Sequence, residues 1–478
     1  MVSKMSVKDQ HFLVVIFHGQ GHINPGQSFA KRLAKATGAK VTFSTTVSNH
    51  RLMFPSLTSP DEEITDEPIT YIPYSDGYDN GIKWFIDDPI EYHEKFNQVG
   101  RATFSSILDN LAARGRPVTC IVYSMQMHWV KELALERGIP TAFHWVQSAR
   151  MLGLYCHYLR GYRDLINSHI DDPFFVVSLP HLPQIMIKDM PHFFMQSIDE
   201  TFKTVFEILL LTIESSLKPG KDGSKPMILI NTFEALELDA LKCIEEADIL
   251  PIGPDVRMLI PDGNNIDISR GYDLFKADEK AYMDWLDTKP ENSVVYVSFG
   301  SIATMSKKQI EEIQCGLKES GRPYLLVLRK NNRETGVELE EGENSMVLEW
   351  CNQAQVLSHP SIGCFLTHCG WNSTLESLTC GVPMVAVQQW ADQDTNARMV
   401  VECSAGVRGE VNKEGVLEAE MLRNCLEKVM GSGERGLEIR KCCKMWKEKA
   451  REATRDGGSS HCNFNYFLEK IVRLIGPN

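Results

Sequence analysis

The stretch from Trp350 to Gln393 gathers side chains whose types and spacing suit the binding of an anion. Ile362 to Thr367 is a short apolar run of the length of a buried strand. His368-Cys-Gly-Trp-Asn372 follows as a tight polar turn, and the spacing predicts a helix from Thr374 to about Cys380. Asn372 or Ser373 can cap that helix and Gly381-Val-Pro383 stops it. A helix that starts at the carboxyl end of a parallel strand offers free N–H groups and the positive end of its dipole, which suits a phosphate. His368, Asn372, Ser373 and Thr374 add donors at that point. A second glycine-bearing turn, His18-Gly-Gln-Gly-His22, follows the apolar run His11 to Phe17. It is not a dinucleotide fingerprint, because Asn24 stands where the third glycine belongs. That weakens a nicotinamide-dependent enzyme as a reading.

Trp350 to Gln393 resembles the signature box of the plant UDP-sugar-dependent glycosyltransferases of small metabolites. Its forty-four residues match without insertion or deletion, including Trp350, Gln353, His368, Gly370, Trp371, Asn372, Ser373, Glu376, Asp392 and Gln393. The resemblance extends from Gly21-His22-Ile23-Asn24-Pro25 to the tail. It implies that Trp350 stacks on uracil, that Cys351 and Gln353 meet the nucleoside, and that Glu376 accepts both ribose hydroxyls. His368 and Ser373 would hold the diphosphate, with Gly300, Ser301, Gly370 and Asn372 on the same donor side. Trp371, Asp392 and Gln393 would face the sugar, and the terminal Gln393 goes with glucose rather than galactose. The fold implied is α/β, two Rossmann-like domains facing across a cleft (the glycosyltransferase B-type fold). The implied reaction is an inverting transfer from UDP-glucose as co-substrate, with no metal and no other cofactor.

The same resemblance makes His22 the base that takes a proton from the acceptor, a task that suits an imidazole. In most members an Asp at the end of the strand Val118 to Tyr123 supports that histidine; here the position holds Ser124. A hydroxyl can hold the ring in one orientation but cannot offset an imidazolium charge. This departure favours acceptors that are already acidic, such as flavonoids, anthocyanin-like phenols, and aromatic or apocarotenoid acids. It also motivates an alternative, a sugar-nucleotide-binding protein with little transfer. Another carboxylate could replace the missing Asp. His18, where proline is common, is either a second imidazole near the acceptor or a filler. Aromatic and Met-rich loops after the first-half strand ends supply the acceptor candidates: Trp84, Met125, Trp145, Met151, Phe193 and Phe194, with Asn24 and Gln147. Asn231-Thr-Phe-Glu-Ala-Leu-Glu237 and Leu179-Pro-His-Leu-Pro183 are similar to the flavonoid and anthocyanin 5-O- or 7-O-glucosyltransferase branch.

The elements that must position these residues alternate strand and helix in both halves, which means parallel sheets. The chain has 478 residues, too many for one core. The reading places an acceptor-binding domain at 1–250, a linker at 251–275, a UDP-sugar-binding domain at 276–455, and at 456–478 a C-terminal helix that packs back on the first domain. Glu234 to Ala247 reads as a helix, and so does Glu91 to Leu111. The net charge of −13 argues against nucleic acid or an anionic membrane as partner. An anionic donor must therefore be held by local N–H groups. The 13 cysteines include no C-x-x-C pair, which suggests a reduced compartment and no zinc site. The apolar run Phe12 to Phe17 is too short for a membrane span. The expectation is a cytoplasmic monomer whose partners are the UDP-sugar and a small acceptor.

Overall fold

The computed structural model describes residues 6–59, 61–82, 88–195, 200–255, 279–301, 303–333, 336–339 and 341–475. The first sheet takes β1 (His11–Val15), β2 (Lys40–Ser44), β3 (Ile64–Asp66), β4 (Ile69–Tyr71), β5 (Cys120–Tyr123) and β6 (Thr141–Trp145). A small hairpin of β7 (Val176–Val177) and β8 (Ile185–Met186) stands apart, and β9 (Met227–Ile230) and β10 (Asp248–Pro251) complete the sheet. Its order is β10-β9-β6-β5-β1-β2-β4-β3, parallel except for the edge pair β3–β4. The second sheet joins β11 (Val294–Ser298), β12 (Tyr324–Val327), β13 (Ser345–Leu348), β14 (Ile362–Thr367), β15 (Met384–Ala386) and β16 (Gly406–Arg408). It is parallel throughout, in the order β13-β12-β11-β14-β15-β16. Strands such as β1, β5, β9, β11 and β14 are buried along their whole length because helices cover both faces of a parallel sheet.

Several boundaries differ from the sequence reading. The first helix is Gln20–Thr37, so His22 lies in its first turn instead of in a preceding loop, and Pro25 is inside the helix. Pro25 has no N–H to give to the Gly21 carbonyl one turn earlier, and that carbonyl accepts the Asn372 amide instead (2.7 Å). The stretch read as one helix from Glu91 to Leu111 runs as Pro89–Lys95, a π segment Phe96–Gly100, and Arg101–Ala113. Glu234 to Ala247 is not one helix. It holds a single turn, Glu234–Glu237, and a 3-10 turn, Ala240–Lys242, before β10. Glu237 is drawn away from a solvent-facing role: its carboxylate accepts the N–H groups of Ala149 and Arg150. The linker expected at 251–275 begins inside β10, and its residues from 256 on lie outside the described residues.

The last helix, Ser459–Ile475, buries Phe464, Phe467, Leu468 and Ile471 in one cluster with Phe12, Phe29 and Val122 of the first domain. Polar struts also cross between domains. Arg408 on β16 pairs with Asp189 of the first domain and with Asp394, at 2.7 Å from the latter. The Thr395 hydroxyl donates to the Asp189 carbonyl (2.9 Å). Asp189 is 2 % exposed. Arg408→Ala is therefore expected to leave a buried carboxylate uncompensated and to cost about 3 kcal/mol. A lowered urea midpoint checks this; an unchanged midpoint would show that the strut carries no stability.

Candidate active site

A cavity of about 840 Å³ lies between the carboxyl ends of the two sheets. One wall comes from the loops after β1, β5 and β6 together with the helices Gln20–Thr37 and Glu200–Leu217; the other comes from the loops after β11, β13 and β14. All the donor-side residues named from the sequence line it: Gly300, Ser301, Trp350, Cys351, Gln353, His368, Gly370, Trp371, Asn372, Ser373, Glu376, Asp392 and Gln393. His22 lines the opposite wall.

The helix Trp371–Cys380 opens at Gly370, and no side chain caps it, so its first N–H groups face the cavity as an anion site. His368 stands beside that helix end. Burial pulls its imidazole down to about 4, against the raising effect of the Ser298 carbonyl, so it is a neutral donor at neutral pH. Its ring is held between two glycines: a Cβ on either Gly300 or Gly370 would lie 2.7 Å from Nε2. Gln353 Nε2 donates to Glu376 (2.7 Å) and to Ser373 Oγ (2.9 Å). The buried Tyr296 hydroxyl in turn donates to Gln353 Oε1 (3.4 Å), fixing that amide from below. The Arg329 guanidinium carbon lies 5.3 Å from the centroid of the Trp350 ring. Gln393 Oε1 accepts the N–H groups of Gln389 and Trp390, which fixes the amide by its oxygen. Burial pushes the neighbouring Asp392 carboxyl up to about 6, although Asn396 donates to it (2.8 Å).

Two residues of this wall also tie the domains together. The Trp371 indole N–H donates to the carbonyl of Asn231 in the first domain (2.7 Å), so the side chain expected at the sugar is 3 % exposed and committed elsewhere. The Asn372 amide donates to the Gly21 carbonyl (2.7 Å), next to His22. The phosphate-side helix and the turn carrying His22 are thus joined by a direct hydrogen bond.

The first-domain wall departs further from expectation. Asn24, Met125, Gln147 and Phe193 line the cavity. Trp145, Met151 and Phe194 do not. Trp145 is fully buried with its indole N–H on the Ser148 carbonyl, Met151 is fully buried in the helix Ala149–His157, and Phe194 stacks on Tyr158 (4.6 Å). These three are core side chains, because their strand and helix positions point away from the cleft. Trp84 lies outside the described residues. In their place, Phe202, Val205 and Leu209 reach the cavity from Glu200–Leu217. Their i, i+3, i+7 spacing is visible in the sequence as one apolar helix face. Ser48, Asn49 and Arg51 of the helix Val47–Met53, with Asp76, Asp79 and Asn80, add a polar end that the sequence reading missed. His18 lines the cavity against Phe17 and Tyr92, and burial with the nearby His22 and His93 pulls it down to about 3.

Ser124 is corrected most sharply. It is buried, and its hydroxyl oxygen accepts the Phe17 N–H (2.8 Å). It does not hold His22, whose Nδ1 is buried without a hydrogen-bond partner. Burial pulls the His22 imidazole down to about 4, so the ring is neutral and can accept a proton at neutral pH. Among the described residues, no cluster of three or more His, Cys, Asp or Glu could hold a metal ion, and no helix is long and apolar enough to cross a membrane.

A family model described as UDP-glucoronosyl and UDP-glucosyl transferase matches residues 263–447. Crocetin glucosyltransferase, chloroplastic, from Gardenia jasminoides is 40% identical over 97% of this chain and 98% of its own length. Anthocyanidin 3-O-glucoside 5-O-glucosyltransferase 1 from Perilla frutescens is 40% identical over 96% of this chain and 98% of its own. The crystal structure of Os79 from O. sativa in complex with UDP superposes with a TM-score of 0.80 at 29% identity, covering 97% of this chain and 100% of that one. With the two sheets facing across a nucleotide-sized cleft and relatives matched end to end, the chain belongs to the plant UDP-glycosyltransferases and is a UDP-glucose-dependent glycosyltransferase of small metabolites.

Proposed function

We propose that the enzyme transfers glucose with inversion to a hydroxyl or carboxyl of an acidic, largely apolar plant metabolite, with His22 as base. The observation that carries this is the placement of His22 and of the uncapped helix end with His368 on opposite walls of one cavity. His22 Nε2 takes the acceptor proton as the acceptor oxygen bonds to C1 of glucose. The bond from C1 to the β-phosphate oxygen breaks, and UDP leaves with the electron pair. The free N–H groups at Trp371–Ser373 and His368 stabilise the charge that develops there. Trp350 stacks on uracil and Glu376 accepts the ribose hydroxyls, with Gln353 holding that carboxylate. Asp392 and the Gln393 amide take sugar hydroxyls. The acceptor lies against Phe193, Phe202, Val205 and Leu209, apolar side chains that suit a flat ring system or a polyene.

The relatives named for crocetin and for anthocyanidin 3-O-glucoside support an apocarotenoid acid or a flavonoid-type phenol as the acceptor class. A panel of such acceptors with UDP-glucose, read by mass shift, tests the reading. Glucosylation of a flavonoid or a polyene acid is expected, with aliphatic alcohols poor; UDP binding without any transfer would instead mark a binding protein. UDP-glucose is expected to outcompete UDP-galactose, because an epimer leaves the buried Asp392 and Gln393 groups unpaired. Equal use of the two donors would overturn the role of Gln393. Action as a cytoplasmic monomer is part of the same proposal; the unpaired cysteines support a reduced compartment.

A further inference from the structure

The base proposed above has no carboxylate at the end of β5, and the sheet register points to what stands there instead. Tyr123 of β5 pairs with Phe143 of β6, so the next positions, Ser124 and His144, are neighbours across about 4.8 Å of sheet. Val122 and Ala142, two residues earlier, both pack in the cluster under the helix Gln20–Thr37. Ser124 and His144 follow them on that same face, the face His22 closes from above. The His144 ring lies 5.2 Å from Phe29 of that helix. His144 is fully buried, and neither of its ring nitrogens has a hydrogen-bond partner. Its Nε2 lies 4.0 Å from Asp255 Oδ2, a buried carboxylate oxygen that is likewise unpartnered. Asp255 Oδ1 accepts from Arg32 (3.3 Å), and its N–H donates to Asn231 Oδ1 (2.7 Å).

Four buried polar atoms beneath the helix Gln20–Thr37 therefore have nothing to satisfy them: His22 Nδ1, His144 Nδ1 and Nε2, and Asp255 Oδ2. Each costs about 1–3 kcal/mol if left unpaired, so a packing role does not account for them. An apolar side chain at 144 would fill the same space against Phe29 without that penalty. The two imidazoles are also close enough for charge on His22 to be felt at His144. Arg32, Asp255 and His22 are the charged or titratable groups around that ring.

We propose that His144, backed by Asp255, is the positioning group for His22 and does from β6 what a carboxylate at the end of β5 would do. His144 orients the Nδ1 side of the base through a shared water, so that Nε2 points at the acceptor. The Asp255 carboxylate, 4.0 Å from Nε2, favours the tautomer of His144 that carries its proton on that side. This inference rests on the reading of His22 as the base.

The test is His144→Leu, alone and combined with Ser124→Asp. His144→Leu is expected to lower kcat about tenfold or more while UDP affinity and the acceptor KM stay within twofold. Its unfolding midpoint should be unchanged or higher, since unsatisfied nitrogens are replaced by a methyl-bearing chain. Adding Ser124→Asp should restore most of the lost kcat, and Asp255→Asn should lower kcat in the same direction as His144→Leu. A His144→Leu enzyme with full kcat overturns the proposal, as does a loss that Ser124→Asp fails to recover. If His22→Ala itself leaves transfer intact, the reading of the base fails, and the two failures are told apart.

Discussion

Replacing His22 by alanine is expected to lower kcat by a factor of roughly 10² or more and to leave UDP affinity unchanged. His22 stands on the first-domain wall, and the residues proposed for the nucleotide stand on the other. Loss of its imidazole removes proton transfer without touching Trp350, Gln353 or Glu376. The contact that crosses near it, Asn372 to the Gly21 carbonyl, is made by backbone on the His22 side and survives the change. Burial holds the ring at about 4, so its protonation should place an acid limb near that value in kcat/KM for the acceptor at saturating donor. A stopped assay at saturating donor, paired with calorimetric UDP binding, separates the outcomes. Collapse of UDP affinity together with turnover would make His22 structural.

Gly300→Ala is expected to lower kcat/KM for UDP-glucose about 10²-fold while acceptor-side residues are untouched. Gly300 has φ +81, a backbone region that residues with a Cβ avoid. The added Cβ would also lie 2.7 Å from His368 Nε2, far inside contact distance. Retreat from that Cβ carries the imidazole away from the mouth of the helix Trp371–Cys380. Displacement of a donor by about 1 Å is enough to cost a factor of this size. Steady-state kinetics in donor concentration checks it. A variant with normal donor kinetics would mean that His368 moves freely and does not hold the diphosphate.

Asp392 at about 6 adds a second pH-sensitive group on the donor side, since only its ionised form accepts two sugar hydroxyls. The donor wall therefore joins a neutral imidazole, an uncapped helix end and a carboxylate that titrates close to neutral pH. The net charge of −13 is offset here by local dipoles.

The donor wall was legible in the sequence because its parts are consecutive. β14, the turn at His368 and the helix Trp371–Cys380 form one unbroken strand–turn–helix unit, and its spacing fixes where the N–H groups and side chains emerge. The alternation of apolar runs and helical periods also determined two parallel α/β sheets. The acceptor wall is assembled from the first turn of one helix, several loops and the middle of the helix Glu200–Leu217, segments whose relative rotation no local period encodes. Trp145 and Met151 lie at or just after a strand end as an acceptor contact would, yet Trp145 is the last residue of β6 and Met151 is on the buried face of the helix Ala149–His157, so both enter the core. The tertiary structure alone decided that Trp371 and Asn372 brace the domains, and that Ser124 serves the Phe17 N–H. It also brought Asp255 to His144, 111 positions apart in the chain, because β6 and the turn after β10 meet beneath the same helix. A contact of that separation depends on sheet order, and sheet order is settled by the packing of all the strands together.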